Sequence, residues 1–456
     1  MDNQKLVNNR EQSKEILTTP PKEMTLDEVA DVLSLTIKND DSNKKIVFLA
    51  MLSAYTEQSQ INVTLNAPSA TGKTYLATEI AKLFPKEDRV ERSGASPTSF
   101  FYGEGVVNKV RKAKIVSLSR KILIFFEQPD PALQTRLRAL LSHDSKEIIH
   151  SLTNRNKGTN RTEKIILEGF AATIFCSSNM RLDEQETTRA ILLSPEATEE
   201  KIRHAIEERI KRGKNEIKYT DWLEAQPQRI ELMNRIEAIR DERVDEIIIT
   251  DTDAAAIEKR FLNMINKPKP SNQRDIDHLL QLIKVITLLN VWHRRQSDGS
   301  IVANQKDIDT AFKLWCDYFE SQNLGIPPAV LSFYKKYIVP AYINKLKQAN
   351  ADEQIAMIAN ELGLTSQELS AYYINEEGSV INNDQLRKQI IPQLQSAGLV
   401  DVEKPKIKDS NTDRRTRHIF PKLLTDEDKK NIGIGGVGDS GSDDMSEDYN
   451  KLIAML

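Results

Sequence analysis

The stretch "NAPSATGKTYLATEIAKLF", Asn66 to Phe84, holds the residues best suited to chemistry. Gly72, Lys73 and Thr74 stand in a row there. Together they offer backbone N–H groups, one long cation and a hydroxyl to a chain of phosphates. The spacing follows G-x-x-x-x-G-K-[ST], with Ala67 in place of the first glycine. Ala67, Pro68, Ser69, Ala70, Thr71, Gly72, Lys73, Thr74 and Tyr75 are therefore the expected nucleotide cradle. Lys73 is expected on the β- and γ-phosphates and the Thr74 hydroxyl on Mg²⁺. Alanine at position 67 is tolerable if its backbone keeps negative φ.

Such a loop works only between a strand and a helix. "INVTLN" (Ile61 to Asn66) is short and rich in β-formers and reads as a buried strand. "TYLATEIAKLF" places Leu76, Ile80, Leu83 and Phe84 at helical spacing. Hydrolysis further needs an acid after a second hydrophobic strand, and "KILIFFEQPD" supplies Glu127. Two assignments are open. Either Phe126 stands where a metal-side acid is usual and Glu127 is the base, or Glu127 is the metal-side acid and Gln128 replaces the base. The four apolar residues before Phe126 favour the first. Asn179, ending "ATIFCSSN", is placed to orient the attacking water. Arg189, in "DEQETTRAILLSP", is a cation for a neighbouring subunit's γ-phosphate. Arg274, at the start of "RDIDHLLQLI", is the expected second phosphate sensor.

The rest of the chain must position these groups. Its 456 residues suggest two to three domains, and the net charge of −3 does not announce a nucleic-acid binder, so cations are weighed locally. No apolar run approaches a membrane span, the polar start "MDNQKLVNNREQSKE" has no signal region, and the two cysteines form neither metal spacing nor a disulfide framework. A cytoplasmic setting is expected. Two helices, "TLDEVADVLSLTI" and "SNKKIVFLAMLSAYT", precede the loop strand. Strands near "DRVERSG" and in "KILIFF" follow, with helical segments expected between them. "EIIHSLTN" and "TEKIILEG" read as paired strands around "RNKGTN", and "ATIFCSSN" as a buried strand. This order predicts an α/β fold with a parallel sheet. From about residue 196 to 265 charged helices dominate, and a helical module follows the linker "NKPKPSNQ".

The succession of loop, acidic strand, hairpin, strand ending in Asn, arginine and helical lid resembles the AAA+ ATPases with a hairpin before sensor 1. Within them it is similar to the minichromosome maintenance (MCM) helicases and the MCM-like helicases of mobile elements, over roughly residues 43 to 320. Ala67, the missing acidic pair at Phe126–Glu127 and the lack of a visible N-terminal zinc or OB-fold domain depart from that family. The resemblance implies a hexameric ring, ATP bound with Mg²⁺ between subunits, and single-stranded or forked DNA in the channel. The expected division is a disordered tail over 1–24, an ATPase core over 25–195, a charged helical segment and lid over 196–326, a winged-helix domain over 327–424 and a flexible acidic tail over 425–456.

Cations around the hairpin turn, Arg155, Lys157 and Arg161, are the expected DNA contacts in the pore. After position 383 a helix carrying Leu386, Ile390, Ile391 and Leu394, then two strands around "DSNTD", make the winged-helix pattern. Its basic wing bears Lys404, Lys406, Lys408, Arg414, Arg415 and Arg417. Three functions fit: a DNA-dependent motor, an initiator or loader that binds DNA without unwinding it, and a protein remodeller whose pore loop would be "SFFYGEG". The ending "YNKLIAML" reads as tail or as a short docking peptide.

Overall fold

A computed structural model describes residues 21–93, 105–154, 161–178, 188–265, 267–349, 363–403 and 417–422. Helices α1 (Leu26–Leu33) and α2 (Asp41–Leu52) lead into β1 (Asn62–Asn66), the loop and α3 (Lys73–Ala81). Then come β2 (Arg89–Arg92), β3 (Val106–Asn108), β4 (Ala113–Ser117), β5 (Ile122–Phe125), α4 (Pro131–Leu141), β6 (Glu147–Asn154), β7 (Arg161–Glu168), β8 (Ala172–Ser177) and β9 (Ile191–Leu193). The main sheet has the order β2-β5-β8-β1-β9, and all its pairings are parallel. The parallel α/β reading is thus correct. The helices expected between β2 and β5 are a correction: the described part of that interval is the antiparallel pair β3–β4. "AKIVS" lies parallel against β7, so pairing decided its conformation.

A second sheet runs β3-β4-β7-β6. Its β6–β7 arm is the expected hairpin, paired in register from Glu147↔Glu168 to Asn154↔Arg161. The two faces of the main sheet differ. Val63, Leu65, Ile124, Ile174 and Cys176 enter the large core shared with α2, α3 and the later helices. Leu123, Phe125 and Phe175 enter a smaller core with Leu133 and Leu137 of α4 and Ile165 and Leu167 of β7. That second face is polar on β1, where Asn62, Thr64 and Asn66 are all buried.

Charged helices α5 (Glu199–Lys214), α6 (Glu216–Glu224), α7 (Pro227–Glu242) and α8 (Asp251–Asn263) follow, then α9 (Asn272–Leu289), α10 (Val291–Arg294) and α11 (Gln305–Leu324). Gly325, at φ 65, ends α11 in the left-handed region, where a β-carbon is costly. A separate core begins at Ile326 and reaches Ile419. It is built from α12 (Pro328–Phe333), α13 (Val339–Ala349), α14 (Ser366–Glu377), α15 (Asn383–Gln385), α16 (Ile391–Ser396) and the antiparallel pair β10 (Val400–Glu403) and β11 (His418–Pro421). Among the described residues no helix is long and apolar enough to cross a membrane.

Candidate nucleotide site

β1 ends at Asn66, and the loop turns back into α3 at Gly72. Gly72 sits at φ +91, and a β-carbon there would meet nothing within 4 Å. Its backbone angle, not crowding, requires glycine. Ala70 also takes positive φ, 67°, whereas Ala67 does not. The substitution at the first glycine position is therefore free of strain, as the sequence reading required. No side chain caps α3. Its first-turn N–H groups accordingly face the loop mouth, the arrangement that attracts anions.

Lys73 is folded back into the loop. Its Nζ donates to the carbonyls of Ala67 at 2.7 Å and Pro68 at 2.6 Å. Burial pushes the Lys73 ammonium below the usual lysine range. Pro68 O also accepts from Thr71 Oγ1 at 2.9 Å, which closes the loop on itself. Thr74 is exposed beside Lys73. Beneath them Cys176 of β8 is buried, and its thiol is pushed up to about 12 by desolvation. Tyr75 holds the far side through a bond from its hydroxyl to Thr36 O at 2.9 Å.

The acidic strand reaches the same end of the sheet. Phe126 N donates to Arg92 O at 2.9 Å, which carries the β2–β5 pairing one residue past the strand. The Phe126 ring packs on the large core. Glu127 and Gln128, the next two residues, are exposed. Ser177 Oγ donates to Gln128 Oε1 at 3.0 Å, so the acidic loop is tied to the tip of β8. Since β8 lies between β1 and β5, that tip stands between Lys73 and Glu127. Asn179 lies just outside the described residues.

Arg189 and Arg274 stand elsewhere. β9 runs parallel to β1 with Val63 opposite Ile191, so Arg189 is at the start of β1, not at its loop end. The Asn62 side chain donates to Leu141 O at 2.8 Å and to Arg189 O at 3.4 Å, fixing that backbone. Arg189 Nε donates to Ser142 Oγ at 2.7 Å. Arg274 bonds the hydroxyl of Thr188, the preceding residue. From Asn62 to Asn66 the strand advances about 13 Å, at roughly 3.3 Å per residue. The fold brings Arg189 and Arg274 together around Thr188, at the start of β1, and Arg189 lines one small cavity with Asn62, Thr64, Gln128 and Ser177. Sequence reasoning missed Asn62, Ser142 and Thr188. The alternation of "NVTLN" was the available signal, because an Asn and a Thr pointing into a buried face need partners.

The remaining expected contacts fall mostly on other ground. Arg155 and Lys157 lie outside the described residues, as do Lys404, Lys406, Lys408, Arg414 and Arg415. Arg161 opens β7, paired with Asn154. Arg417 is exposed just before β11.

A family model described as "MTBMA_p00010 P-loop domain" matches residues 9–236, half of the chain. No curated protein matches it.

Proposed function

The chain belongs to the MTBMA_p00010 P-loop domain family, and from that premise we propose that it is an ATP-driven DNA motor of AAA+ type, acting as a ring. The observation that carries the proposal is the division of cations. Lys73 is at the loop end of β1, and Arg189 with Arg274 is at the other. With their guanidiniums held on Ser142 and Thr188, these arginines are read as cations offered to the γ-phosphate of a neighbouring copy. Such a cation in trans accounts for about 10³–10⁵ in rate where it has been measured. The position of β8 between β1 and β5 supports the AAA+ assignment, since it sets the described tip of β8, Ser177, between Lys73 and Glu127.

The site fits a magnesium nucleotide. The uncapped start of α3, the open side of Gly72 and the Thr74 hydroxyl suit a phosphate chain with its cation. Among the described residues no three His, Cys, Asp or Glu side chains cluster. The ion would therefore rest on Thr74, phosphate oxygens and water, as Mg²⁺ commonly does. When bound, it neutralises charge on the transferred phosphoryl group. Lys73 leaves its two carbonyls for the β- and γ-oxygens. Glu127, exposed next to the packed Phe126, takes the proton of the attacking water, and Asn179 orients that water.

DNA is the proposed track. The hairpin β6–β7 leads to Arg155 and Lys157, and Arg161 begins its return strand. The module after Ile326 supports a winged-helix reading. Leu364 bridges to Ile419 beside the β10–β11 pair, and α14 to α16 come between Leu364 and β10 in the chain. Its wing would hold duplex through Lys404, Lys406, Lys408, Arg414, Arg415 and Arg417. The same module favours a second reading, a loader that binds DNA without separating it. DNA-stimulated ATPase and forked-duplex unwinding, measured on the Arg155→Ala/Lys157→Ala protein, decide between them. A motor keeps basal hydrolysis but loses both stimulation and strand separation. Unwinding that survives the change removes the pore motor and leaves the loader.

A further inference from the structure

Helix α5 is built inside out. Its packed face is charged. Lys201 pairs with Asp40, His204 Nδ1 lies 3.0 Å from Asn39 Oδ1, Glu208 bonds the Tyr219 hydroxyl, and Arg212 reaches Glu79 at 3.2 Å. Its apolar face points to solvent. Ile202, Ile206 and Ile210 are 53%, 53% and 66% exposed. They recur every fourth residue and so form one stripe along the helix. Scattered exposed isoleucines are ordinary, but a helix that buries ions and offers its only isoleucines as a row breaks the usual pattern in one place. Rules broken locally tend to mark function.

We propose that this stripe is the seat of segment 449–456 of the same chain, "YNKLIAML". That segment lies outside the described residues, and the grounds are complementarity. Tyr449, Leu452, Ile453 and Leu456 follow i, i+3, i+4, i+7, the anchor spacing of an amphipathic helix laid on an apolar groove. Asp443, Asp444, Glu447 and Asp448 precede the anchors. On α5, Arg209 and Lys214 flank the stripe, exposed, with no ion-pair partner among the described residues. A Gly- and Ser-rich stretch connects Lys422 to Tyr449. That stretch is 26 residues long, 423 to 448. Because α5 also holds Glu79 of the P-loop helix, the docked segment would brace the nucleotide domain. The inference does not depend on DNA or on a ring.

The test is disulfide trapping in the full-length chain, with Cys316 changed to Ser and Cys176 left buried. Ile206→Cys combined with Ile453→Cys is expected to cross-link at least tenfold faster than Lys259→Cys combined with Ile453→Cys, since Lys259 is exposed on α8. Adding Leu452→Asp and Leu456→Asp should return the rate to that control. Equal rates for the two pairs, or trapping indifferent to the aspartates, overturn the proposal. Ile202→Ser/Ile206→Ser, which alters only exposed positions, is to be run in sedimentation alongside. A fall in assembled mass together with equal trapping rates gives the stripe to a second copy instead.

Discussion

The two ends of β1 are built on opposite principles. At the loop end the backbone does most of the work: a positive-φ glycine, an uncapped helix start and one desolvated lysine held by two carbonyls. At the other end side chains do it. Asn62 pins the Arg189 carbonyl, Ser142 holds its guanidinium, and Thr188 holds Arg274. The loop end is shaped to receive a ligand whose charge it cannot fully answer. The arginine end holds its two guanidiniums on the hydroxyls of Ser142 and Thr188. The difference is what the proposal of a site shared between copies rests on, one copy giving the loop end and its neighbour the arginine end.

The strongest way to break the comparison is at the loop. Lys73→Ala should reduce ATP hydrolysis to background in a protein that still folds, because two or more charge-assisted contacts of about 1.5–3 kcal/mol each disappear. Circular dichroism controls for folding, and undiminished turnover would remove the nucleotide reading. Arg189→Ala should lower turnover by about 10³ while nucleotide affinity stays near wild type. Mixing it with the Lys73→Ala protein should restore part of the activity, since some interfaces then combine two intact halves. A mixture no more active than its components would return both ends to a single chain.

Glu127→Gln sharpens the loop end. If Glu127 is the base, the variant should bind ATP normally and hydrolyse it about 10²–10³ more slowly, trapping the nucleotide. A shifted Mg²⁺ requirement would instead assign Glu127 to the metal, and wild-type turnover would reject both roles and pass them to Asp130.

The smallest expected effect concerns pH and belongs to the arginine end alone. His143, next to Ser142, is at φ 56 with its ring 4.7 Å from that of Phe170. Burial lowers its pKa to about 4. The folded protein therefore binds this proton less readily than the unfolded chain does. Stability contributed by neutral His143 is intact above about pH 6.5 and is lost as pH falls toward 4. The loss is at most about 3 kcal/mol. Asp275 of α9, raised to about 6 by burial, works the other way. Its stability is full at low pH and is lost as pH rises through 6. The His143→Gln protein isolates the first effect: its melting temperature relative to wild type should improve between pH 7 and pH 4. An unchanged difference would show that His143 titrates normally.

Much of this was written in the sequence because it depends on local chemistry. "GKT" between a β-rich run and a helical run defines the loop, since the turn needs glycine and phosphates need a helix start. The hairpin was legible because both its strands have β-formers around a polar turn. The acidic strand was legible as a strand, and Glu127 as its first exposed acid. Other features depended on partners far along the chain. "AKIVS" became a strand because β7 lay beside it. α5 reads as a solvated charged helix, and only the folded chain reveals that the charges are packed and the isoleucines are not. The separation of Arg189 from Lys73 follows from the parallel register of β9 on β1, Val63 opposite Ile191. Residue types and spacing determined which groups can do the chemistry. The tertiary structure alone decided at which end of the sheet each one stands, because strand direction and order are set by long-range pairing that no local pattern encodes.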